Sequence, residues 1–262
     1  MTDPVAVALL EMAHRFAELA SAAPDPDREV TATPGWSVTD VLGHVASEPS
    51  RYRELAMGAG TWPARAADLP AFNAEQIRSL PTRDPRQLAR TLIADTESLI
   101  ATVDGFGGEP RTMMFDGDQR VRVDRARGTL LGEFVVHGYD IARMLGRPWP
   151  IDPALVPMIM DGLNQVTPAW VDPVRTGRHT ATYEYRLRGL ARYVYRFVDG
   201  RLVVDHDTPG PVDVHISAEP VTALLLNYGR IGPLLPSLNG RLLAWGRKPW
   251  LAAGFSRRFL PA

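Results

Sequence analysis

The residues best suited to chemistry in this chain are a carboxylate and two imidazoles that a helical fold can bring together. Glu133 and His137 lie four residues apart in the stretch 132–146. Apolar residues recur around them at helical spacing: Leu130, Phe134, Ile141 and Leu145. Helical geometry therefore places both polar side chains on or beside the face that should meet the core. A carboxylate is costly to bury without a partner, and a bound cation would neutralise it and accept the imidazole lone pair.

A third ligand has to come from another part of the chain, and His44 is the best-placed candidate. It lies two turns into a helix that should begin at Ser37, because Ser37 and Asp40 have the spacing of a capping box. Two imidazoles and one carboxylate suit zinc and leave a position open for water or substrate, although iron, nickel or manganese would accept the same set. From spacing alone, a metal site and a metal-free buried network are equally well supported. Glu48, one turn further and followed by Pro49, is expected to be solvated, and a supporting contact to a metal ligand is the alternative.

The first part of the chain should place these residues on a bundle of helices. Caps and apolar spacing predict four helices joined by loops without strands: residues 4–20, a helix from Ser37, a helix opened by Asp84 and Pro85, and a helix capped by Asp124 that ends at Gly146. Such bundles build metal sites from inward side chains on facing helices. The connection 58–83, with a short helix at 71–79, is long enough to overhang a site.

After residue 150 the helical period gives way to alternation, so we expect a bundle at 1–150 and an α+β domain at 151–262. A helix at 152–169 should precede a mostly antiparallel sheet, with further helices at 221–228 and near the end of the sequence. Strands are expected from residue 180, at 191–198, at 201–205, around 212–216 and at 241–245. Asp199 and Gly200 suit a two-residue hairpin turn. The aromatic residues of the first two strands belong either to an ordinary core or to a pocket lining: Tyr183, Tyr185, Tyr193, Tyr195 and Phe197.

Composition and charge limit the classes of partner. The formal net charge of -1 gives no electrostatic basis for binding nucleic acid or an anionic membrane surface. No apolar run approaches the roughly 18 residues needed to span a bilayer, and the first residues lack the basic region of a signal peptide, so a cytoplasmic protein is expected. The sequence contains no cysteine, which excludes disulfides, thiolate ligands and a cysteine nucleophile.

Two motifs of the chain resemble those of a known family. The first is Pro-Gly-Trp-Ser-Val-Thr-Asp-Val-Leu-Gly-His at 34–44, and the second is Glu133-x-x-x-His137-x-x-Asp140-Ile141-x-x-x-x-Gly146. Together they are similar to the mycothiol-dependent maleylpyruvate isomerase family, within the DinB-like superfamily of metal-binding four-helix bundles. The resemblance implies a metal triad of His44, Glu133 and His137. The segment from about 180 to 261 resembles the sterol-carrier-protein-like module that follows the bundle in many members.

What the resemblance implies about function is a divalent-metal enzyme, with zinc the first choice, that uses mycothiol on a small electrophile. In the isomerase reaction the thiolate adds to an activated double bond, the resulting single bond rotates, and elimination returns the thiol with the other isomer. A transferase would keep the adduct. Asp140, one turn beyond His137, would either orient that imidazole or bond to a neighbouring helix. The arginine-rich composition, with Lys248 as the only lysine, agrees with an actinobacterial source, where mycothiol is the main small thiol.

Two other functions would use the same residues. In one, the second domain carries an apolar ligand, and the metal only stabilises the bundle. In the other, the triad activates water, and the protein is a metallohydrolase. The missing cysteines bear on the choice, since nucleophilic sulfur would have to arrive with a cosubstrate.

Overall fold

A computed structural model of the protein describes residues 3–115, 119–207 and 210–260, and the chain divides into two compact units. The first unit comprises Met1–Ile151 with Asp161–Leu163, and the second comprises Asp152–Met160 with Asn164–Ala262. The first is helical and the second is built on a sheet, which confirms the predicted fold class. That the two parts fold independently on either side of residue 150 stays a prediction.

The first unit is built on four long helices. The helices of this unit are α1 (Pro4–Ser21), α2 (Val38–Ala56), the short α3 (Leu69–Arg78), α4 (Pro85–Asp104) and α5 (Val123–Leu145). Helix α1 packs against α4 and α5, and α2 packs against α4. Their shared interior holds large side chains with no solvent exposure: Leu9, Phe16, Leu42, Leu92, Leu130, Phe134 and Ile141. Burial of this apolar surface stabilises the bundle.

The predicted helix ends are confirmed at three places. Ser37 and Asp40 form a reciprocal capping box at the start of α2, and the Asp84 side chain caps α4. Gly146 ends α5 in the left-handed conformation at φ 66°, which costs glycine least. Pro49 does not end α2, contrary to the expected disturbance, and the helix continues to Ala56. Proline cannot donate a backbone hydrogen bond, and the burial of residues on both sides of Pro49 offsets this loss.

The expectation of a first unit without strands is wrong. Strands β1 (Thr112–Phe115) and β2 (Gln119–Arg122) pair antiparallel within the connection between α4 and α5. Each strand is only four residues long, so its alternation gives little signal. Asp124 is also not the cap of α5, since the helix begins at Val123 with Arg122 at the N-cap position. The Asp124 carboxylate pairs instead with the Arg122 guanidinium at 2.6 Å.

The second unit is centred on a five-stranded sheet of order β5-β4-β3-β6-β7. Its strands are β3 (Ala181–Leu187), β4 (Ala191–Val198), β5 (Arg201–Asp205), β6 (Val214–Ala218) and β7 (Leu242–Gly246). All neighbouring pairs are antiparallel except β3 and β6. The helices of this part of the chain are α6 (Leu155–Val166), α7 (Pro173–Thr176), α8 (Pro220–Asn227) and α9 (Leu234–Leu238). The predicted last helix consists of two short 3-10 segments, Pro249–Gly254 and Ser256–Arg258.

One face of this sheet carries the aromatic core of the second unit. Tyr183 and Tyr195 pack on Phe255 at ring-centroid distances of 5.0 and 5.2 Å. The five aromatic residues that were expected to belong either to an ordinary core or to a pocket lining are all buried. They are core residues. Asp199 and Gly200 form the predicted hairpin turn, with φ values of 49° and 83°. In the ranges that the structure describes, no helix is both long and apolar enough to cross a membrane.

Candidate metal centre

The three residues predicted to bind a metal lie together inside the first unit. His44 comes from α2, and Glu133 and His137 come from successive turns of α5. Their ligand atoms all lie within 4.8 Å of one another. The Nε2 atom of His137 is 3.2 Å from Oε2 of Glu133, and the Nε2 atom of His44 is 3.8 Å from the same oxygen. Both imidazoles therefore turn their Nε2 atoms toward the Glu133 carboxylate.

The centre is largely buried, with one partly open side. The side chains of His44 and His137 are 6% and 10% exposed, whereas the Glu133 side chain is 24% exposed. Burial raises the pKa of Glu133, but the contacts with His137 and His44 outweigh it and hold that pKa well below its usual range. Burial also lowers the pKa of His137, but the Asp140 and Glu133 carboxylates outweigh it and raise that pKa to about 9. A cation bound here would replace the proton of His137, so binding should release protons.

The second ring nitrogen of His137, Nδ1, faces away from Glu133, as expected of a histidine that binds a metal through Nε2. This Nδ1 atom is buried, has no hydrogen-bond partner among the residues that the structure describes, and lies 3.7 Å from Oδ2 of Asp140. That distance is longer than a hydrogen bond. Metal-bound histidines commonly turn their other ring nitrogen toward a carboxylate, and Asp140, 4% exposed, occupies that place. The orienting role of Asp140 stays a prediction, as does metal binding by the triad.

Glu48 is not solvated, contrary to the prediction. Its side chain is buried and forms an ion pair with Arg51, and its Oε1 atom lies 3.7 Å from Nδ1 of His44. The Arg51 guanidinium lies over the rings of Trp62 and Phe72, at 4.1 and 4.8 Å from their centroids. Because α2 continues past Pro49, residues 44, 48 and 51 share one helix face. That spacing was visible in the sequence.

Gln76 is a site residue for which the sequence gave no direct signal. It lies on α3, and its Oε1 atom is 3.0 Å from Nδ1 of His44. Leu80, just beyond α3, packs on Gly43, the residue before His44. The connection 58–83 therefore does reach the site, as its length allowed. The only hint in the sequence was that length.

Comparison with known proteins shows to which family the chain belongs. A family model described as the mycothiol maleylpyruvate isomerase N-terminal domain matches residues 9–142, about half of the sequence. The chain belongs to this family. The match covers α2, α3 and α5 up to Ala142, so every residue of the candidate centre lies inside the family domain.

Solved structures show the same fold. A crystal structure of the mycothiol-dependent maleylpyruvate isomerase is 15% identical, with a TM-score of 0.53 over 88% of this chain and 93% of that chain. A histidine-to-alanine mutant of that enzyme is 14% identical with the same TM-score and coverage. At this identity the likeness shows the maleylpyruvate isomerase fold. No curated protein matches the sequence significantly. The likeness of the second unit to a sterol-carrier module stays a prediction.

Proposed function

We propose that the protein is a divalent-metal-dependent enzyme that uses a low-molecular-weight thiol, mycothiol in the first place, on a small electrophilic substrate. The observation that carries the proposal is the convergence of three ligand atoms within 4.8 Å on two helices of a mycothiol maleylpyruvate isomerase domain. The chain contains no cysteine, so in this proposal the nucleophilic sulfur arrives with the cosubstrate.

The residues of the centre have separate roles in this proposal. His44 and His137 would bind the cation through Nε2, and Glu133 would bind it through a carboxylate oxygen. This nitrogen and oxygen set fits zinc, and a three-residue set leaves room for a further ligand. When bound, the ion supplies the charge that lowers the pKa of a coordinated thiol and keeps it ionised near neutral pH. Glu133 has the most exposed side chain of the three, so we expect small molecules to approach the centre from its side.

The reaction class follows from what a thiolate does to an activated double bond. Its sulfur lone pair forms a carbon–sulfur bond while the double-bond electrons move onto the activating group. Rotation about the new single bond and return of those electrons expel the thiolate and leave the other geometric isomer. No oxidant or reductant is consumed. If the adduct takes up a proton instead, the outcome is S-transfer.

The test is turnover by zinc-loaded protein of a panel of electrophiles and hydrolysable esters, with and without mycothiol. We expect turnover of an electrophile that requires both zinc and thiol and is lost in His137→Ala. His206→Ala, an exposed histidine in the second unit, is the matched control and should keep full activity. Ester turnover that persists without thiol would contradict the proposal and indicate a metallohydrolase. Tight binding of apolar ligands with no turnover in any arm would contradict it in favour of a carrier.

A further inference from the structure

We infer that Gln76 is a positioning residue of the metal centre, which fixes the tautomer of His44 so that its Nε2 lone pair is free for the cation. The inference rests on the proposed metal centre. It adds a residue of α3 to a site whose other members come from α2 and α5.

The contact between Gln76 and His44 indicates which nitrogen of the His44 ring carries the proton. Oε1 of Gln76 lies 3.0 Å from Nδ1 of His44, which is hydrogen-bond distance. With the amide oxygen turned toward the ring, as it lies here, Nδ1 is the donor, because an amide oxygen can only accept. In a neutral imidazole Nε2 then carries the lone pair, and Nε2 is the atom 3.8 Å from the Glu133 carboxylate.

Glu48 is the other acceptor near the same nitrogen, and Arg51 restrains it. Its Oε1 atom is 3.7 Å from Nδ1 of His44, too far for a hydrogen bond. The same oxygen is held by the Arg51 guanidinium, which the Trp62 and Phe72 rings fix in place. The partner of His44 is therefore a neutral amide, whereas a carboxylate oxygen, that of Asp140, lies 3.7 Å from Nδ1 of His137.

The segment that carries Gln76 is anchored where it can hold this contact. Ile77, the next residue, is buried, and Leu80 packs against Gly43 on α2. The His44 ring is also fixed by its neighbours, with Trp36 at 5.1 Å and His137 at 5.6 Å between ring centroids. The ring therefore has little freedom to reorient, and the hydrogen bond to Gln76 selects between its two tautomers.

The test is the zinc affinity of the full-length protein, measured by competition with a chromogenic zinc chelator. Gln76→Leu should weaken binding by about 10- to 100-fold, the usual cost of losing the outer partner of a metal-bound histidine. Gln76→Glu keeps an acceptor oxygen and should restore affinity to within about threefold of the wild type. Gln87→Leu, the same change at an exposed position of α4, is the control and should bind zinc as the wild type does.

A second readout separates tautomer selection from a general loss of structure. In the metal-free protein, nitrogen-15 correlation spectra should show the Nδ1-protonated tautomer of His44 in the wild type and in Gln76→Glu. Gln76→Leu should lose that preference while keeping the circular dichroism of the wild type. Undiminished zinc binding and an unchanged His44 tautomer in Gln76→Leu would overturn this inference and leave the metal centre standing. A wild type that binds no zinc would overturn the metal centre itself.

Discussion

Replacing Arg51 with methionine should destabilise the protein by about 3–5 kcal/mol, because it would leave the Glu48 charge buried without its partner. Glu48 and Arg51 are 2% and 9% exposed, so water cannot take over the role of the guanidinium. The change also removes the stacking of Arg51 on Trp62 and Phe72, at 4.1 and 4.8 Å. Cation–π contacts of this kind contribute about 0.5–2 kcal/mol each. Methionine retains much of the side-chain volume, so the loss of stability reports mainly on the ion pair and the cation–π contacts of the guanidinium and less on packing.

A double replacement isolates the ion pair from the other effects. The Nε and Nη1 atoms of Arg51 are buried and have no hydrogen-bond partner within the described part of the chain, so removing arginine also relieves the cost of unpaired donors. Combining Glu48→Gln with Arg51→Met removes both charges and should recover much of the loss. We expect a coupling energy of about 2–3 kcal/mol from the double-mutant cycle.

The assay is equilibrium unfolding in urea followed by circular dichroism, with a chelator present because a bound metal would itself change stability. The chain offers a matched control in Glu75 and Arg78, which have the same residue types and spacing but side chains 66% and 67% exposed. Arg78→Met should cost less than about 1 kcal/mol, as exposed pairs do. If Arg51→Met costs no more than Arg78→Met, burial does not control the energy of the Glu48–Arg51 pair, and our account of it is wrong.

Two further predictions concern packing and pH. Gly138→Ala should destabilise the first unit by about 1–3 kcal/mol, because the new methyl group would lie 2.1 Å from the Trp149 ring. Thermal unfolding measures this change. A rise in the melting temperature would contradict the prediction, since alanine favours helices wherever no such contact opposes it. Burial raises the pKa of Tyr185 and of Tyr195 above their usual range, so alkaline difference absorbance should show both neutral in folded protein above pH 10. The free energy of unfolding should then fall as pH rises through the unfolded-state pKa of about 10.

Local signals in the sequence predicted three of the helix ends and the hairpin turn correctly. The capping box at Ser37, the cap at Asp84, the left-handed Gly146 and the turn at Asp199–Gly200 each depend on residues close together in the chain. The proximity of the three candidate ligands was also predictable, because two polar residues interrupted the apolar face of one helix and created the need for a third. Their role as ligands stays a prediction. Their convergence depends on the packing of α2 and α5, which the bundle interpretation anticipated.

The features that were missed include one contact distant in sequence and two local ones. Gln76 contacts His44 across 32 positions, and no periodicity links a glutamine on a short helix to a histidine on the preceding helix. Glu48 was predicted to be solvated because Pro49 was expected to disturb α2. Tertiary packing outweighed that local effect and kept the carboxylate inside, paired with Arg51. The β1–β2 hairpin was missed because strands of four residues have too little alternation to distinguish them from a loop.

The most direct test of the metal centre and its thiol is X-ray absorption at the zinc edge of the loaded protein, before and after addition of mycothiol. The account predicts one zinc per chain in a shell of nitrogen and oxygen donors that includes two imidazoles. It further predicts a sulfur neighbour at about 2.3 Å only after the thiol is added, since the chain has no cysteine to supply one. A protein that cannot be loaded with zinc, or a zinc shell that gains no sulfur from mycothiol, would contradict the account.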